Sequence, residues 1–86
     1  MDITYNTVEL LAVSKEIAKK ATTIEQAVAS AESSVGRIRN MKSPRLMRDI
    51  RQWDKMRKEI KKAVIALRDG AKELDRLAED NRIINQ

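Results

Sequence analysis

The stretch Asn40-Met41-Lys42-Ser43-Pro44-Arg45-Leu46 decides how this chain folds, because it holds the single proline among 86 residues. At the first position of a helix Pro44 gives up no hydrogen bond, since the first N–H groups have no intrahelical acceptor. Ser43 before it can accept a hydrogen bond from one of those free N–H groups. The proline ring also disfavours helical geometry at Ser43, so a helix arriving from upstream must end around Asn40 to Lys42. A second start lies at Asn6, followed three residues later by Glu9, a capping-box spacing that opens a helix at Thr7. The pattern predicts one domain covering 1–86, with helix 1 at about 7–41, a turn at 42–43 and helix 2 at about 44–82. At ~1.5 Å per residue each helix would run some 50–55 Å.

Apolar spacing supports this division. Steps of four and three from Leu10 land on Ser14, Ile17, Ala21, Ile24, Val28, Ala31, Val35 and Ile38, with Ser14 the one polar member. From Leu46 they land on Ile50, Trp53, Arg57, Ile60, Val64, Leu67, Ala71, Leu74 and Ala78, with Arg57 the exception. A mean spacing of 3.5 residues is a coiled-coil seam, which strand alternation cannot produce. So short a connection leaves only an antiparallel arrangement, and the expected class is an all-α two-helix hairpin.

A hairpin core is one seam wide, and this chain carries more apolar surface than one partner helix covers. Met56, Ala63, Gly70 and Leu77 flank the seam on helix 2, and Leu11, Val13, Ala18, Ala27 and Ala29 lie off it on helix 1. Ordering the backbone is hard to offset from one seam, so two hairpins are expected to pair into a four-helix bundle, as homodimer or heterodimer. Val28, Val35, Ile60, Val64 and Leu67 are expected at the centre of packing, and Leu11, Ala18, Trp53, Met56 and Leu77 at the partner interface. Trp53 is read as a core residue whose indole N–H needs an acceptor.

The net charge of +5 is uneven. Residues 37–62 hold eleven basic against three acidic side chains, so the turn end is a positive cap that includes Arg37, Arg39, Arg45, Arg48 and Arg51. Such a cap suits nucleic acid, an anionic membrane or an acidic protein. A basic nucleic-acid or membrane-surface binder using residues 37–62 is therefore the alternative function. Nucleic-acid readers usually add stacking aromatics, and here only Trp53 is near. A solvated face with local pairs such as Asp54 with Lys58 is the simpler account of the same charges.

Cysteine and histidine are both absent, which removes disulfides, thiolate or imidazole metal sites and His-based catalysis. No Gly-rich phosphate loop or nucleophile elbow occurs, and a two-helix hairpin offers no desolvated pocket for acid–base chemistry. The expectation is a non-enzymatic protein without cofactor or metal. No apolar run has the length of a membrane span, and Met1–Asn6 lacks the pattern of a signal peptide.

The long apolar heptads, the short turn and the second-helix Leu/Ala pattern from Ala66 to Asn81 resemble the WXG family of early-secreted-antigen-like type VII secretion substrates. That family joins its helices by a Trp-x-Gly turn, whose place is taken here by Met41, Lys42, Ser43 and Pro44, with Met for Trp and Ser for Gly. Trp53 matches a further aromatic common in the family about a dozen residues later. Asn81 and Asn85 fall at the positions of the family's export tag and match neither its Tyr nor its acidic residue. The chain is also similar to the accessory hairpins that dock on the helical N-terminal region of large type VII toxins. The resemblance implies a cytoplasmic protein before export, possible secretion without a cleaved signal peptide, and a role as substrate, export partner or toxin-targeting adaptor.

Overall fold

The computed structural model describes residues 6–84, with side chains to Asn81, and consists of two helices packed against each other. Helix α1 spans Thr7–Gly36 and helix α2 spans Pro44–Ile84. They run antiparallel as a ribbon 65 × 19 × 13 Å, two helices wide and one thick. Among the described residues there is no strand.

Both starts form as the sequence predicts. The Asn6 side chain accepts from the Glu9 N–H at 3.1 Å, and Glu9 adds a negative charge to the positive end of the α1 dipole. Ser43 Oγ accepts from Leu46 N–H at 3.3 Å, and Pro44 is the first residue of α2. The exit of α1 differs from expectation: the helix stops at Gly36, about one turn early, and 37–43 rather than 42–43 make the connection. Gly36 is the weakest helix former in the segment. Beyond it the backbone tightens, with Arg37 N–H donating to Ser34 O, Ile38 N–H to Val35 O and Met41 N–H to Ile38 O, each three residues back. Three-residue steps keep Val35 and Ile38 half-buried on the seam while turning the chain toward α2.

Every expected seam position on both helices is buried or half-buried. Among the described residues Ser14, Ala21, Val64, Ala71 and Ala78 are buried, and no large side chain is fully enclosed. All five share the heptad position a, where small side chains let the backbones approach. The approach is close enough for the Ser14 hydroxyl to donate to the Ala71 carbonyl at 3.0 Å. Of the five residues expected at the centre of packing, Val64 is buried at 3% exposure and Val28, Val35, Ile60 and Leu67 are half-buried. A single hairpin gives them one neighbour helix and water on the rest.

Candidate functional site

Heptad positions sort the two broad sides of the ribbon. With a and d in the seam, position e of each helix lines one side and position g the other. Ion pairs confirm the first side: Arg68 bonds Glu25 across the helices, and Arg39 joins Glu32 to Asp54, all five at e. On the g side stand Val13, Ala27, Met41, Met56, Ala63 and Leu77 together with the exposed charges Lys20 and Asp49, with no ion pair between the helices among the described residues.

The e side carries a charge cluster beside the turn. Arg39 reaches Glu32 Oε1 through Nε at 2.9 Å and Nη2 at 2.6 Å, and Asp54 through Nη2 at 2.7 Å and Nη1 at 3.2 Å. Trp53 Nε1 donates to Glu32 Oε2 at 2.6 Å, which supplies the acceptor its seam position demands. Arg57, the one charge in the α2 seam, bonds Asp54 at 3.1 Å and places Nε 3.4 Å from Glu32 Oε2. That Nε is buried and makes an ion-pair contact without a hydrogen bond. The indole hydrogen bond, followed by the Arg39 guanidinium, holds the Glu32 carboxyl below its usual range. Arg39 does the same for Asp54, and both carboxylates raise Arg39 further.

Beyond this cluster the e side forms a groove of about 500 Å³, with Val28, Ile60, Val64 and Ile65 as its apolar lining and the Glu25–Arg68 pair at its far end. Nearer the open end Leu11 and Ala18 border a smaller hollow with Ser14 and Ala71.

Several sequence expectations change in this light. Arg39 does not belong to a free positive cap, because two carboxylates neutralise it; Arg37, Arg45, Arg48 and Arg51 are exposed. Asp54 pairs with Arg57, three residues on, in place of Lys58. The five interface candidates do not form one surface. Leu11 and Ala18 take position e, Met56 and Leu77 take position g, and Trp53 lies between in the seam. Met41 is 54% exposed, Lys42 is exposed, and Ser43 and Pro44 act as cap and first helical residue. Asn81 is half-buried and donates through Nδ2 to Thr7 Oγ1 at 2.8 Å, tying the open end shut, while Asn85 lies outside the described residues.

Glu32 went unrecognised in the sequence, although a seam Trp53 and a seam Arg57 both required an acceptor across the hairpin. An acidic residue at position e of the opposing helix was the signal. Among the described residues no helix is long and apolar enough to cross a membrane. Comparison with protein-family models, with curated proteins and with solved structures found no match to this chain.

Proposed function

We propose that this protein is a non-enzymatic association module, half of a helical bundle whose core is completed by another helical chain. One observation carries the reading: the hairpin is a ribbon with a strip of core. Its radius of gyration is 19.4 Å, whereas a compact chain of this length has about 12 Å. Its accessible surface of 7116 Å² exceeds the roughly 5,200 Å² expected of a folded monomer of this mass. The excess per chain is larger than the ~800 Å² each partner buries in a standard interface. Val8, Leu11, Met41, Met47, Met56, Ile65 and Leu77 remain exposed.

The resemblance to type VII secretion hairpins supplies the setting, in which the module serves as substrate, export partner or toxin-targeting adaptor. Urea unfolding at several protein concentrations tests the association reading. The midpoint should rise with concentration or on adding the partner chain. A cooperative transition that ignores both would overturn it.

A second reading rests on the outer face of α2. Arg48, Arg51, Lys55, Lys58 and Lys62 recur at three- and four-residue steps and are all exposed. This row suits a polyanion, and steeply salt-dependent binding to DNA or anionic vesicles would favour it.

A further inference from the structure

From the outer edge of α2 we infer that the polyanion is duplex nucleic acid, held by its phosphates without regard to sequence; the inference rests on the second reading above. In the heptad, position f points straight away from the seam and position b stands beside it. Arg48, Lys55 and Lys62 take f, and Arg51 and Lys58 take b. Alternating steps of three and four match the repeat of the seam, so the five cations keep one line over about 21 Å. Among the described residues Arg48, Arg51, Lys55 and Lys58 have no ion-pair partner, and Lys62 meets only the exposed Glu59, at 3.4 Å. Glu59, at c, is the one carboxylate on the outer positions b, c and f of 48–62. Asp49 stands on the g side, and Asp54 is bound by Arg39 and Arg57. Like charges three and four residues apart repel along a helix, so the row weakens α2 until anions lie on it. Beyond Lys62 the b and f positions turn mixed, reading Ile65, Asp69, Lys72, Arg76 and Glu79.

The chemistry of the row selects the class of polyanion. A helix that binds a membrane surface lays its apolar side in the lipid, and the apolar side of α2 is packed on α1. Within 48–62 the outer positions hold no apolar residue, and the exposed Met47 and Ile65 flank the row about 27 Å apart. Stable anchoring to a membrane needs a second signal beside a basic patch. An acidic protein would offer separate carboxylates, and exposed ion pairs of that kind add little because water competes for both partners. A duplex carries one phosphate charge for every ~1.7 Å of its axis, so the whole row meets anions in any register. Release of the duplex's counterions then drives binding with no apolar contact. Single strands are held in large part by stacking on aromatic side chains, and the row contains none. Trp53 is turned into the hairpin, its indole bonded to Glu32 at 2.6 Å. Arg37, Lys42 and Arg45, all exposed, extend the same positive field round the turn, whereas Arg39 is neutralised.

Fluorescence anisotropy of two labelled duplexes of unrelated sequence, about 20 base pairs each, tests this with the full chain between about 50 and about 200 mM salt. Both duplexes should bind alike, and the logarithm of the binding constant should fall against that of salt with a slope of about −4. Lys55→Gln together with Lys58→Gln should weaken binding at least about tenfold at low salt and flatten the slope by about two. Lys15→Gln with Lys19→Gln, the same charge change on the exposed outer edge of α1, should alter the constant less than about twofold. Glutamine is as good a helix former as lysine, so both double variants keep the hairpin. Vesicles containing phosphatidylglycerol, polyglutamate and a single strand serve as rival anions at equal charge concentration. Tighter binding to any of these overturns the inference and leaves the polyanion reading standing. A tenfold or greater preference for one duplex, or duplex binding that the Lys55 and Lys58 changes leave intact, overturns it as well. A chain that binds none of the anions removes both.

Discussion

Glu32 is the residue on which most of the turn-end geometry converges. One oxygen accepts a hydrogen bond from the Trp53 indole N–H and the other accepts from Arg39, an arrangement that favours the ionised carboxylate. Glu32 and Asp54 hold protons less tightly in the fold than in the open chain, because the indole and Arg39 stabilise the charged forms. Their contribution is present above their ordinary values and is lost as acid protonates them in the fold. The loss falls below their ordinary values of 4.5 and 3.8. Acid titration followed by Trp53 fluorescence should therefore show a transition that Glu32→Gln weakens; an unchanged pH profile in that variant would place the titrating group elsewhere. Arg39→Gln should lower the unfolding midpoint and shift Trp53 emission, since it leaves two carboxylates facing each other with Arg57 as the one cation in contact with both.

At the scale of the helix, termini and small buried residues decide stability. Ser43→Ala removes the N-cap acceptor of α2 and should cost about 1 kcal/mol, read from urea midpoints. Val64 has the least exposed of the larger side chains in the core, and Val64→Ala should cost about 1–2 kcal/mol. Ile60 and Leu67 are half-buried, so truncating either costs a single hairpin less than full burial would imply. Ala71→Leu should be worse than a simple loss of packing. It forces the helices apart where Ser14 meets the Ala71 carbonyl, and overpacking of this kind costs about 1–3 kcal/mol. A wild-type midpoint in that variant would mean the helices do not approach there.

For the whole molecule, shape separates the possible assemblies. Stacking two ribbons on their broad faces doubles the mass while leaving the length near 65 Å. With helix layers about 10 Å apart, the radius of gyration should rise only from 19.4 Å to about 20 Å. Association end to end would instead give about 38 Å by the same geometry. Small-angle scattering at high concentration distinguishes the two, and a dimer of the larger radius would exclude face-to-face stacking.

The amino-acid sequence by itself determined the two helices, their starts at Thr7 and Pro44 and the seam between them. These depend on groups near each other in the chain: a cap and the N–H three residues on, or apolar residues one heptad apart. The end of α1 was less legible, because Gly36 and the tightened backbone after it only weaken a helix that the seam pattern continues through. What the tertiary structure decided was the pairing of polar groups across the hairpin. Arg39 reads as part of a basic run until α2 brings Asp54 beside it. Leu11 and Met56 read as one apolar surplus until packing sends them to opposite sides of the ribbon. Periodicity sets which residues turn inward, whereas the register and rotation of one helix against the other set whom they meet.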